Sequence, residues 1–223
     1  KEIISSDPKY QGYLLGGKSN SGKSVIAYNL CLELMRRDTI YAPIWITLNN
    51  NELPKILKID DKNEEIQNKK TQNDKLFEHL CGEIKNRCIS PDKKYVLVID
   101  NLELSYVDEI LNVIPKIKNE CQNIIFSIIT SWSLPSQDEK VKELNFKQVE
   151  LTEVNFSDFS GILNSVIQSQ FTSKLQSLTS DEKNQLTQAS YDVLKDCPGD
   201  LALTLSSIKD ISVEKIIEKL NST

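Results

Sequence analysis

Several things are missing from this chain, and each absence closes off a class of protein. No apolar run approaches the roughly 18 residues that a membrane-spanning helix needs, and the N-terminal stretch "KEIISSDPKY" carries no signal-peptide hydrophobic segment. The sequence therefore predicts no membrane partner. The five cysteines, Cys31, Cys81, Cys88, Cys121 and Cys197, form no C-x-x-C pair, and the only histidine, His79, has no cysteine at zinc-ligand spacing. They read as reduced thiols, several of them buried, in a cytoplasmic or nuclear setting. Excess positive charge is also missing: 27 basic against 32 acidic side chains give a net charge of -5, which does not support nucleic-acid binding by bulk electrostatics. Arginine occurs only at Arg36, Arg37 and Arg87, so the C-terminal 136 residues contain none.

What is present alternates. "GYLLGG" is a short apolar run ending in glycines, and "KSVIAYNLCLELMRR" follows it with Val25, Ile26, Leu30, Cys31 and Leu34 at helical spacing. "APIWITLN" reads as a strand, and the polar stretch "NNNELPKILKIDDKNEEIQNKKTQND" as a surface loop with one short helix near "ELPKILK". A helix through "DKLFEHLCGEIKNRC" leads to "KYVLVIDN", an uninterrupted apolar run of the kind a strand shows when both faces are covered. A helix with Val107, Ile110, Leu111, Val113, Ile114 and Ile117 on its buried face, then "NIIFSIITS" and "KQVELTEV" as strands, complete an α/β pattern with a mainly parallel sheet. Beyond residue 152 only helices are expected. One opens at an Asn155 cap, another at a Thr179 to Glu182 capping box, and two short ones run through "DLALTLSSI" and "SVEKIIEKL". The reading is a core over residues 1–152 and a helical subdomain over 153–223. The abrupt ends suggest a fragment of a longer protein.

Residues Gly17 to Ser24 read G-K-S-N-S-G-K-S and fit G-x-x-x-x-G-K-[ST]. Glycines at both ends let successive backbone N–H groups turn inward around a phosphate, while the following helix aims its N-terminus at the same anion. A chance match in a chain this long is about a one-in-a-hundred event from average residue usage, and the strand-loop-helix context lowers it further. The loop reading assigns Gly17, Ser19, Asn20, Ser21, Gly22, Lys23, Ser24 and Val25 to a nucleotide, with Lys23 by the β- and γ-phosphates and the Ser24 hydroxyl on Mg²⁺. "YVLVID" ends in Asp100, placed to hold the metal's water shell. Asn101 cannot take a proton. Glu103 is the candidate general base, against the alternative of a solvated acid. Thr130 and Ser131 end the apolar run "NIIFSIITS", either to read the γ-phosphate or to satisfy local backbone.

These residues carry a resemblance. "NIIFSIITS", expected between the loop strand and the Asp100 strand, is similar to the extra strand of the additional-strand P-loop ATPases, which implies a three-layer sandwich with sheet order 2-3-4-1-5. Within that group the chain resembles the STAND class, the signal-transduction ATPases that include NB-ARC and NACHT modules. "GGKSNSGKSVIAYNL", "PIWITLN", "YVLVIDNLE" and "IIFSIITSWS" carry the likeness, and "DCPGDLALTL" stands where the family has a Gly-Leu-Pro-Leu motif, which implies an adenine contact at Pro198. Trp132 departs from the family's strand-end arginine. The resemblance implies ATP, ADP and Mg²⁺ as ligands, a switch hinged near Glu150 to Asn155, slow or no hydrolysis, self-association in the ATP state and flanking domains in the same protein. The rivals are an AAA+ initiator or loader, whose lid usually presents an arginine that this chain lacks after Arg87, and a nucleotide-dependent scaffold without turnover. A small-molecule kinase would want several lid cations. A GTPase would want N-K-x-D, which "NKKT" at Asn68 does not supply.

Overall fold

The run "YVLVIDNL" is rich in β-branched and long apolar residues, and it forms β3 (Tyr95–Leu102), buried at every position except Asn101. In the computed structural model, which describes residues 10–37, 40–48, 53, 56, 65–134, 138–170, 178–201, 215 and 218, this strand lies inside a five-stranded sheet. The others are β1 (Gly12–Gly17), β2 (Ala42–Thr47), β4 (Ile124–Ser131) and β5 (Phe146–Leu151), and the order is β2-β3-β4-β1-β5. The expected 2-3-4-1-5 order is therefore observed. β1 with β4, β3 with β4 and β2 with β3 all pair in parallel, with Leu14 opposite Ile129, Val98 opposite Ile128 and Thr47 opposite Asp100.

Alternation along the strands builds the layers. Val96 and Val98 of β3, Tyr13 and Leu15 of β1, and Phe126 and Ile128 of β4 meet Ala27, Leu30, Cys31 and Leu34 of α1 (Lys23–Arg36). Leu97, Ile99, Leu14 and Ile129 face the other way, onto α2 (Glu65–Arg87) and α3 (Val107–Glu120). Each such Leu, Ile or Val contributes about 1.5–3 kcal/mol when fully buried. The three-layer sandwich follows from this two-sided pattern. The six apolar residues expected on the inner face of α3 are its buried ones.

Three details differ from the sequence reading. Val25 is 63% exposed and Ala27 takes the inner position, because the stripe of α1 is phased from Lys23 at its first turn. α2 begins at Glu65, inside the polar stretch assigned to a loop; Glu, Gln and Lys have good helix propensity with nothing to bury. A short α4 (Asp138–Glu143) precedes β5. The helix read near "ELPKILK" and those read in "DLALTLSSI" and "SVEKIIEKL" lie largely outside the described residues.

The described residues form two compact units. One holds Lys1–Gly17 and Lys23–Glu150; the other holds Lys18–Gly22 and Leu151–Thr223. In the second, α5 (Phe156–Gln170) and α6 (Ser180–Leu194) close over Phe159, Leu163, Ile167, Leu186, Leu194 and Leu201, with Tyr191 edge-on to Phe156 and Phe159. Both N-termini are capped as read. The Asn155 side chain accepts from the Asp158 N–H at 2.9 Å, and Thr179 and Glu182 make the reciprocal capping box.

All five cysteines are free, with Cys31, Cys81 and Cys121 buried. Burial pushes the Cys31 and Cys81 thiols up to about 11. Iodoacetamide at about pH 8 is expected to modify the partly exposed Cys88 and Cys197 first, leaving Cys31 and Cys81 slow until the protein unfolds. Peptide mass spectrometry over a time course reads this directly, and equal early labelling of Cys31 would contradict the packing of α1.

Candidate functional site

The β1 end supplies the first half of the site. Gly17 closes the strand, and six residues on, at the start of α1, Lys23 is 7% exposed and its Nζ donates to the Gly17 carbonyl at 2.8 Å. A lysine is rarely buried without partners, so this ammonium is held in place at the helix N-terminus, where the backbone N–H groups favour an anion. Next to it, the Ser24 hydroxyl donates to Asp100 Oδ1 at 2.9 Å, across 76 residues of sequence. A hydroxyl and a carboxylate oxygen side by side are hard donors of the kind that could hold Mg²⁺, Ser24 as a ligand and Asp100 on the ion or its water shell. Among the described residues there is no cluster of three or more His, Cys, Asp or Glu side chains able to hold a metal alone.

Asp100 is itself gripped from the neighbouring strand. The Thr130 hydroxyl, fully buried, donates to Asp100 Oδ1 at 2.5 Å and accepts from the Asn101 N–H at 2.9 Å. Asn101 has φ 63°, at a shift of register between β3 and β4, and its side chain accepts from Trp132 Nε1 at 3.2 Å. Ser131 is fully buried, and its Oγ has no hydrogen-bond partner among the described residues. Glu103 stands one residue past β3 and opens the 3-10 turn Leu104–Tyr106 without capping it through its side chain. The structure brings Gly17, Lys23, Ser24, Asp100 and Thr130 together. Among the described residues, the Glu103 and Ser131 side chains make no hydrogen bond with that group.

The middle of the loop, Lys18–Gly22, belongs to the second unit. Gly22 has φ 94°, a conformation that costs little only for glycine, and Asn20 has φ 58°. The Asn20 carbonyl accepts from the Gly199 N–H at 2.9 Å, its side-chain amide donates to Asp200 Oδ1 at 2.5 Å, and the Lys18 ammonium pairs with Asp196. That hydrogen bond, and then the charge of Asp196, hold the Lys18 ammonium above the usual lysine range. Ser21 is buried; Ser19 is exposed; Pro198 is buried and its carbonyl accepts from the Leu201 N–H. Sequence reasoning missed Asp196, Gly199 and Asp200. The segment "DCPGDLALTL" is read there only for an adenine contact at Pro198; the contacts of these three with the loop span about 180 positions, which no local pattern records.

No protein-family model and no curated protein matches the chain. Among solved structures, the chain is similar to one in the HORMA:CdnC:Trip13 complex of E. coli MS115-1, with TM-score 0.62 and 12% identity over 96% of this chain and 74% of that one. It is similar to domain III of the Thermotoga maritima replication initiation protein DnaA, with TM-score 0.58 and 13% identity over 99% and 88%. It is also similar to the Aeropyrum pernix ORC1 protein in complex with DNA, with TM-score 0.56 and 13% identity over 95% of this chain, which spans only 59% of the ORC1 chain. At such identities the likeness is one of fold. That fold is the parallel sheet of order β2-β3-β4-β1-β5, with β4 between β1 and β3 and helices on both faces. Among the described residues no helix is long and apolar enough to cross a membrane.

Proposed function

We propose that this chain is an ATP- and ADP-binding switch with slow or no hydrolysis, the nucleotide module of a signalling or defence protein of the STAND kind. The observation that supports it best is the joining of Lys23, Ser24 and Asp100 at the β1 and β3 ends. Lys23 would meet the β- and γ-phosphates, backbone N–H groups of residues 19–25 would line the anion, and Ser24 with Asp100 would hold Mg²⁺. Bound Mg²⁺ supplies charge neutralisation at the phosphates. Hydrolysis would need a base, and Glu103 is the residue to test, because Asn101 cannot serve.

A second reading, an initiator- or loader-type ATPase, draws support from the DnaA likeness. Against it, each of the three arginines pairs with a glutamate three or four residues before it, Arg36 and Arg37 with Glu33 and Arg87 with Glu83.

The switch reading expects light scattering and small-angle scattering to differ between ADP–Mg²⁺ and ATP–Mg²⁺ samples. Phosphate release should fall well below the ~10 s⁻¹ typical of enzymes. If the release is real and Glu103 is its base, Glu103→Gln lowers it by about 10²–10⁴-fold without changing affinity. Identical scattering in both nucleotides would leave the scaffold reading and remove the switch.

A further inference from the structure

The turn after α6 does more than end a helix. Cys197 N–H returns to the Leu194 carbonyl, Asp200 N–H to Cys197 and Leu201 N–H to Pro198, so residues 197–201 form a wound, rigid turn. On one side this turn is anchored by Leu201, fully buried with Phe159, Leu163 and Leu186. Its other side holds the apex of the phosphate loop at three points: Gly199 N–H on the Asn20 carbonyl, Asp200 on the Asn20 amide, and Asp196 on Lys18. The approach is close enough that a Cβ on Gly199 would lie 2.8 Å from the Asn20 carbonyl oxygen.

Asn20 is the one non-glycine residue in the loop with positive φ. That backbone state costs a side-chain-bearing residue free energy, and Asn is among the few that tolerate it. In this turn the Ser21 N–H donates back to the Lys18 carbonyl at 3.3 Å, and the loop runs on through Gly22 to the N–H groups that open α1, where an anion is favoured. Here both the backbone oxygen and the side chain of Asn20 are held by residues 199 and 200. The turn is therefore closed within the loop by Ser21 and Lys18 and braced from outside it by residues 199 and 200.

We propose that the 196–200 turn is the positioning element of the phosphate loop and the route by which its occupancy is felt at the end of α6, with Asp200 as the positioning residue. The proposal rests on the reading of the loop as a phosphate site. Because coupling is reciprocal, whatever the turn adds to nucleotide affinity, bound nucleotide returns as stability of the turn. The role of Asp200 is hydrogen-bond acceptance; its negative charge is incidental and opposes the phosphate.

The experiment is calorimetric titration of the whole chain with ATP and ADP, in Mg²⁺, for the parent, Asp200→Ala, Asp200→Asn, Asn20→Gly, Asn20→Gly/Asp200→Ala and Lys23→Ala. Asp200→Ala is expected to weaken both nucleotides by about three- to ten-fold, the worth of one hydrogen bond. Asp200→Asn keeps an acceptor and binds as the parent or tighter. In the Asn20→Gly background, where glycine takes positive φ unaided and the amide is gone, Asp200→Ala changes nothing further. Hydrogen exchange at the Gly199 amide slows when ATP is added to the parent, a readout that a merely structural Asp200 would not move. Parent-like affinity in Asp200→Ala, with binding lost in Lys23→Ala, overturns the proposal while the loop remains the site. Parent-like affinity in Lys23→Ala overturns the loop reading, and this proposal with it. Unfolding of Asp200→Ala, seen in its circular dichroism, passes the decision to Asp200→Asn and to exchange at Gly199, where weaker binding by the former or no ATP effect on the latter counts as refutation.

Discussion

Lys23→Ala is expected to lower affinity for ATP and ADP by about 100-fold or more, the worth of one or two charge-assisted hydrogen bonds to phosphate. The side chain is 7% exposed and its ammonium is fixed on the Gly17 carbonyl at 2.8 Å, so no reorientation is required before an anion arrives in the loop. A positioned charge in a poorly solvated site acts on phosphate more strongly than the same charge on a mobile surface lysine. ATP should lose more than ADP, since the γ-phosphate is the further acceptor. Lys23→Met serves as the control for packing: it restores most of the buried stem without the charge and should bind no better than Lys23→Ala. Titration with fluorescent ATP and ADP decides the matter. Equal binding by parent and variant would place the nucleotide elsewhere and end the present functional reading, whereas loss in alanine alone would make the effect one of packing.

The second large effect concerns Asp100. Its Oδ1 accepts from Ser24 on one side and from fully buried Thr130 on the other. Asp100→Asn keeps an oxygen for these hydroxyls but removes the charge that would hold the ion, so the strengthening of ATP binding by Mg²⁺ should shrink by about 10–100-fold. Asp100→Ala adds a structural cost, because the Thr130 hydroxyl and the Ser24 hydroxyl lose their common acceptor. With one of those hydroxyls buried, about 1–3 kcal/mol of stability is at stake. In a chain of this length that is about 2–4 °C of melting temperature for each kcal/mol. Titrations with Mg²⁺ and with EDTA, beside thermal melts of both variants, separate the two contributions. A Mg²⁺ effect undiminished in Asp100→Asn would take the carboxylate out of the metal site.

Thr130 illustrates where reading the chain stopped. Its place at the end of an apolar strand is plain from "NIIFSIITS", and two roles for its hydroxyl stood open. The structure shows the hydroxyl engaged with Asp100 and the Asn101 N–H, a contact made possible by the pairing of β4 beside β3. Val25 shows a different limit. It is apolar and at helical spacing, yet it faces solvent, since spacing alone gives the stripe of a helix only to within a residue and the sheet decides which side is inner. The polar start of α2 is a third case: with no apolar period to read, helix propensity was the sole signal, and it is a weak one.

By itself the sequence determined those features that are written locally. These are the identity of five strands from their apolar runs, the inner face of α3, the caps at Asn155 and Thr179, and the loop from Gly17 to Ser24. Each depends on interactions between residues a few positions apart, or on a repeat of 2 or about 3.6 residues that burial imposes. Only the tertiary structure decided which polar side chains meet. Thr130 with Asp100 spans 30 residues, Ser24 with Asp100 spans 76, and Lys18 and Asn20 reach Asp196 and Asp200 across 178 and 180. A single Asp or Asn in a polar stretch looks like any solvated residue, and no period records its partner. The contacts of Asp100 exist because strand order brings the ends of β1, β3 and β4 side by side, at a cost in chain entropy that buried apolar surface elsewhere offsets.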